Sequence, residues 1–223
     1  MTIQYNASIV RNGLVLHLDA ANPKSYPGSG TTWTDLSGNG NNGAFTNSPT
    51  YLDAAKGQIA FDGVDDYITV QNSSSLNPAN STLICWARSN TELWNNNGFL
   101  MSKRDVFVMH PNANAKSVSY YYRLNNAWAA ESVTPEDVVQ WNMYAYSWDG
   151  SVLAAYLNGN FVRSGTKTGP LNTSDTGVMT IGRDDGTGRY MNGAVSSCMM
   201  YNRALSDLEI RQNFEALRGR YGI

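Results

Sequence analysis

Ionic side chains are scarce in this chain, at 15% of its residues, and cysteine and histidine are scarcer still, with two of each. Two cysteines in 223 residues exclude a disulfide framework. His17 and His110 have no serine or cysteine nucleophile motif beside them and no metal-ligand spacing, so they suggest neither a catalytic triad nor a zinc site. No stretch approaches the roughly 20 apolar residues of a membrane span, and the start, MTIQYNASIVRNG, lacks the basic and apolar regions of a secretory signal. With 16 Lys and Arg against 18 Asp and Glu the net charge is −2, so no global field draws nucleic acid or anionic lipid.

Hydrophobic residues make up 42% of the chain, enough for a substantial core. Asn-Gly and Asp-Gly pairs recur from Asn12-Gly13 to Asn192-Gly193, and these residues enter positive φ cheaply, so the chain is punctuated by tight turns between antiparallel strands. Between the turns the side chains alternate. In LVLHLD, Leu14, Leu16 and Leu18 are expected on one face and Val15, His17 and Asp19 on the other. Tyr144, Tyr146 and Trp148 share a parity before Asp149-Gly150, and the two-residue turn at Asn158-Gly159 asks for a type I′ hairpin. Trp86, Trp141 and Trp148 lie in such strands and are read as packing residues. Cys85 and Cys198 sit in strand-like segments as buried thiols, with pairing open if those strands are neighbours.

One helix is expected, in RALSDLEIRQNFEALRG. Ser206 and Glu209 form a capping box, Leu205 and Ile210 occupy staple positions, Ile210, Phe214 and Leu217 line one face, and Gly219 is placed to end the helix in a left-handed conformation. Residues 20 to 58 are rich in Gly, Pro, Ser and Asn and are expected as loops over one rim. Residues 1 to 12 are an N-terminal arm or edge strand, and 13 to 223 a single all-β, antiparallel two-sheet jelly-roll sandwich closed by that short C-terminal helix.

The succession GLVLHLDAANPKSYPGSGTTWTDLSGNGNNGAFTN, IAFDGVDDYITV, TLICWAR, WNMYAYSWDGSVLAAYLNGNFV and YMNGAVSSCMMYNRALSDLEIRQNF resembles the laminin-G-like branch of the concanavalin A-like lectin/glucanase superfamily. The resemblance implies the sandwich but not one function, since that fold hosts lectins, glycosidases, adhesion modules and virion parts. The phrasing DAANPKSYPGSGTTWTDLSGNGNNG and the ending NFEALRGRYGI look like the version found in tailed bacteriophages, especially those infecting cyanobacteria. That implies a virion structural or binding module, as tail fibre, tail-associated protein or capsid decoration, made in the host cytoplasm and displayed on the virion surface. Its expected partners are other virion proteins, further copies of itself and host-surface glycan, with no nucleic acid and no membrane insertion. A soluble carbohydrate-binding lectin is the alternative and a glycoside hydrolase a third reading.

Glycosidases use two carboxylates about 5 to 10 Å apart. The Glu-x-Asp-x-Glu strand of the glucanases that this fold resembles is absent, and Glu92, Glu131, Glu136, Glu209 and Glu215 are scattered, so no catalytic residues are expected. No cofactor is required, but Asp62, Asp65 and Asp66 around the turn in FDGVDDY could hold a structural calcium, or cap that turn through backbone amides. Asp184 and Asp185 in GRDDGTG pose the same choice. Sugar faces pack on exposed aromatic rings flanked by polar groups. Trp94 and Trp128 lie among Asn residues and are candidates for glycan or partner contact, with Tyr120, Tyr122 and Arg123 on the strand leading to Trp128.

Overall fold

The computed structural model describes residues 8 to 223 apart from 96–97, 126, 168 and 185–187. Two large antiparallel sheets face each other across one core. The first runs in the order Asn160–Thr166, Val152–Leu157, Asn142–Trp148, Ser81–Ser89, Asn192–Tyr201, Gln58–Asp62, Thr50–Leu52, with Leu14–Asp19 also paired to Asn192–Tyr201. The second runs Ala127–Val133, Val118–Leu124, Phe107–Pro111, Met101–Lys103, Met179–Ile181, Tyr67–Val70, Gly43–Thr46, Thr32–Trp33. A two-stranded ribbon, Arg183–Asp184 with Arg189–Tyr190, stands apart from both.

Alternation decides what fills the sandwich. Leu83, Cys85 and Ala87 of the first sheet, with Tyr144, Tyr146 and Trp148 on the adjoining strand, meet Val118, Tyr120 and Tyr122 of the second. Tyr120 stacks on Tyr146 with ring centroids 4.5 Å apart, one of several aromatic contacts worth about 0.5–1.5 kcal/mol each beyond burial. The opposite parity of the first sheet, Ile84, Trp86, Met143, Ala145, Met199 and Tyr201, forms a second apolar layer under the helix.

That helix, α1 (Asp207–Leu217), starts as its sequence dictates. The Ser206 hydroxyl accepts from the Glu209 amide, the Glu209 carboxylate accepts from the Ser206 amide at 2.9 Å, and Leu205 and Ile210 are both buried beneath it. Its inner face lays Phe214 against Trp86, nearly parallel at 5.6 Å, and Tyr221 covers the rest of that indole at 4.2 Å. Gly219 does not end it, contrary to expectation. The chain continues through a 3-10 turn, Arg218–Arg220, and the left-handed residue is Gly222, at φ 75°. Trp141 packs only in part, half-buried against Tyr221 at 5.0 Å.

Two other expectations change. Leu14 does not share a face with Leu16 and Leu18: an irregularity in the pairing between Leu14 and Leu16 turns Leu14 toward the helix layer, while Val15, Leu16 and Leu18 join the main core. A bulge of this kind resets the period of two. Residues 20 to 58 are not loop throughout, since Thr32–Trp33, Gly43–Thr46 and Thr50–Leu52 complete sheet edges. The Gly-rich turn between them is fixed by Asp35, whose carboxylate accepts from the amides of His17, Ser37 and Asn41 at 2.8–3.0 Å. Residues 1 to 7 of the expected arm lie outside the described residues. Val10 is docked on the helix, its amide donating to Asn213 Oδ1 at 2.8 Å and its carbonyl accepting from the Tyr201 hydroxyl.

Cys85 and Cys198 are in-register partners on neighbouring strands, yet both are free and buried, with Sγ atoms 3.8 Å apart. Burial pushes the Cys85 thiol well above its ordinary pKa.

Candidate functional site

The central strands of the first sheet are covered by the opposing sheet and by α1, and an exposed aromatic surface lies on the outer face of the second sheet, at its edge. There the strands Phe107–Pro111, Val118–Leu124 and Ala127–Val133 lie side by side. Val118, Tyr120 and Tyr122 point inward, so alternation sends Ser119, Tyr121 and Arg123 outward. Registry places Trp128 opposite Arg123, and His110 opposite Ser119.

The result is a run of rings across three strands. His110 stacks flat on Tyr121 at 5.0 Å and 6°, Phe99 leans on the other side of His110 at 5.1 Å, and Trp128 meets Tyr121 edge-on at 6.2 Å. Trp128 is 44% exposed and the Arg123 guanidinium lies 5.8 Å from its ring. With Arg104, Arg189 and Val108 these rings line a depression of about 190 Å³. That is below the roughly 300–1,000 Å³ of enclosed small-molecule sites and suits a shallow contact. A second hollow adjoins it, lined by Asp105, Arg123, Asn125, Pro170, Leu171 and Asn172.

Charge at this site is arranged around one carboxylate. Asp184 is 1% exposed; its Oδ1 accepts from Arg104 and its Oδ2 lies 3.3 Å from Arg189. Both arginine side chains remain 38–39% exposed, and Arg104 also sits over the Phe99 ring at 5.7 Å. Arg123 is held by Asp105. The imidazole of His110 donates from Nδ1 to the Pro111 carbonyl at 2.8 Å. Burial lowers its pKa below the ordinary histidine value, which leaves the ring neutral at pH 7 with Nε2 as an acceptor.

Three of the residues expected at a contact surface are elsewhere. Trp94 is fully buried and meets Tyr144 edge-on at 6.5 Å, while Tyr120 and Tyr122 are fully buried between the sheets, Tyr122 bonded to the Ser81 hydroxyl. Tyr120 and Tyr122 cannot share a face with Arg123 on a single strand, and this parity alone would have selected Tyr121. The ring partners His110 and Phe99, and the guanidinium pair Arg104 and Arg189, carried no local signal, because the register of consecutive strands positions the first three and Arg189 comes in from a remote segment.

The acidic turn is as compact as its spacing suggested: one carboxylate oxygen from each of Asp62, Asp65 and Asp66 lies within 4.8 Å of the others. Backbone amides already use two of the three. Asp62 Oδ1 accepts from Val64 at 2.8 Å, and Asp66 Oδ2 accepts from Asp62 at 3.3 Å. Burial and then the Asp62 charge hold the Asp66 carboxyl above the usual carboxylate range. Asp185 of the second acidic pair lies outside the described residues. The other carboxylates are mostly engaged in structure: Glu131 with Lys167, Glu209 with Arg203, Glu215 with Arg211 and Arg218, Asp175 with Lys103, Asp19 with Arg220. None of these pairs faces the ring platform.

A family model of laminin-G type, described as the concanavalin A-like lectin/glucanases superfamily, matches residues 62–211. The chain belongs to that superfamily. Its laminin-G-like sandwich superposes on the binding domain of Paraclostridial Mosquitocidal Protein 1 with a TM-score of 0.72 at 14% identity, over 92% of this chain and 52% of that one. Domain 4 of AbnA, a GH43 extracellular arabinanase from Geobacillus stearothermophilus solved with arabinotriose, gives 0.70 at 16% identity over 90% of this chain and 97% of the domain. The binding domain of Botulinum neurotoxin DC, solved with rat synaptotagmin II, gives 0.71 at 12% identity over 93% and 52%. The sandwich thus spans about half the length of the two toxin binding domains and nearly all of the arabinanase domain. At these identities the likeness is one of fold. No curated protein sequence matches the chain. Among the described residues no helix is long and apolar enough to cross a membrane.

Proposed function

We propose that this protein is a non-catalytic glycan-binding module whose contact surface is the ring platform around Trp128, and that it is displayed in many copies on a virion. The observation that carries the reading is the exposed indole of Trp128 beside Tyr121 and His110, flanked by arginine side chains, on the outer face of the second sheet. Flat apolar rings beside fixed hydrogen-bonding groups are what a pyranose face requires. The sugar-bound arabinanase domain supports the reading by shape, and the toxin binding domains support a binding role. Most of the described carboxylates are engaged in ion pairs and turn caps, which favours holding over cleaving.

The depression is shallow, so single-site affinity is weak. Display in many copies raises avidity by ~10²–10⁴ without new contacts. The virion setting rests on the likeness of the Gly-rich N-terminal segment and the C-terminal ending to tailed-phage proteins, and it implies capsid or tail proteins and further copies as partners. If a calcium ion binds, Asp62, Asp65 and Asp66 are the residues that would hold it, and backbone amides hold the turn without one.

A glycan array probed with the wild type and with Trp128→Ala tests the binding reading. Binding is expected to fall roughly thirtyfold in the variant, the effect of losing an aromatic anchor worth about 2 kcal/mol. Equal binding by both proteins refutes the platform. Failure to co-sediment with purified particles refutes the virion setting, and steady sugar release from a bound polysaccharide refutes the non-catalytic one.

A further inference from the structure

We infer that the sugar this platform takes is acidic, carrying its carboxylate or sulfate where Arg104 and Arg189 converge. The inference rests on the platform being a glycan site and goes further by naming the ligand's charge. Two guanidinium groups share one buried carboxylate there: Arg104 takes Asp184 Oδ1 and Arg189 takes Oδ2. Among the described residues two positive charges stand against one negative here, in a chain whose overall charge is −2. The positive charge at this spot is therefore a local construction and not a consequence of composition.

The geometry makes that charge available. Asp184 is 1% exposed and fixes both arginines from beneath, while their side chains keep 38–39% of their surface open and line the depression beside Tyr121, His110 and Trp128. A guanidinium has five donors, so each arginine held through one nitrogen at Asp184 still presents N–H groups to a second anion. Arg104 is further immobilised over the Phe99 ring, so little side-chain entropy is lost when it engages. Neutral His110 adds an acceptor for a hydroxyl but no repulsion toward a cationic neighbour. Further along, Asp105 already neutralises Arg123, and the adjoining hollow is lined by Asn125 and Asn172. This places the acidic unit at the Arg104–Arg189 end and a neutral, hydroxyl-rich unit at the other.

The test uses an array carrying neutral, uronate-bearing, sialylated and sulfated oligosaccharides, followed by titration of each hit against its carboxyl-reduced or desulfated counterpart at low and high salt. The hits are expected to be anionic, bound at least tenfold more tightly than their neutral counterparts, with the difference shrinking at high salt. The carboxylated and sulfated arms show which anion is preferred. Arg189→Gln is expected to abolish the preference while leaving Asp184 with Arg104. Lys24→Gln, the same charge change at an exposed lysine away from the platform, is expected to keep it, with both variants checked by thermal melting. Neutral hits, equal affinity within a matched pair, or loss of preference in both variants alike would overturn the acidic ligand and leave the glycan-binding reading standing. No hit of either kind overturns both.

Discussion

Gly159 is the position at which the case for a closed first sheet can be tested most directly. It sits with Asn158 in the tight turn between Val152–Leu157 and Asn160–Thr166, at φ 75° and 50° respectively, and the turn tip touches α1. An alanine Cβ at 159 would lie 2.7 Å from the Phe214 Cβ and 2.9 Å from its Cγ. The left-handed backbone costs an L-residue roughly 1–2 kcal/mol, and forcing a methyl group into a packed contact roughly 1–3 more. Gly159→Ala should therefore lower stability by about 2–5 kcal/mol, or roughly 2–4 °C in Tm for each kcal/mol in a chain of this size.

Phe214→Ala alone should cost about 3–5 kcal/mol, since it strips the ring stacked on Trp86. In the double variant the helix is no longer pinned by that stack and can back away from the new methyl group. The two losses should then fall short of additivity by about 0.5–3 kcal/mol. Denaturant unfolding of the four proteins, read by circular dichroism, measures this coupling. Additive losses, or a Gly159→Ala protein as stable as the wild type, would show that the helix does not clamp the hairpin and that the outer face of the first sheet is less sealed than its packing implies.

Further outcomes follow from the same geometry. Asp66 ionises against burial and the Asp62 charge, so its raised pKa favours the folded state only when the group is protonated. Asp66→Asn should raise Tm at neutral pH, with the gain fading as the pH falls through the raised folded-state pKa and gone below about 4, where the unfolded carboxyl also protonates; a gain that persists at pH 3 would contradict this. With the Asp62 turn held by its own amides, chelation by EGTA should leave Tm unchanged, and a calcium-dependent rise lost in Asp65→Asn would instead identify a metal site. Cys85 and Cys198 should ignore Ellman's reagent in the folded protein and both titrate in guanidinium; a native disulfide would leave nothing to titrate.

Much of this molecule is written in local pattern. The capping box at Ser206 and Glu209, the positive-φ turn at Asn158-Gly159 and the shared parity of Tyr144, Tyr146 and Trp148 each depend on residues a few positions apart, where turn chemistry and side-chain alternation act without reference to the rest of the chain. The superfamily was legible for the same reason, as a succession of such patterns in order. The platform was legible only in part: Trp128 and Arg123 stand out and parity selects Tyr121 with them, but His110, Phe99 and Arg104 join through the register of neighbouring strands and Arg189 from a remote segment, which no local pattern specifies. Trp94 shows the converse. A tryptophan among asparagines reads as exposed until the fold lays it against Tyr144 inside the core. Which face of the second sheet stays open was likewise a tertiary outcome, because it depends on α1 docking on the far side of the other sheet, and no stretch of sequence specifies by itself which surface a remote helix will cover.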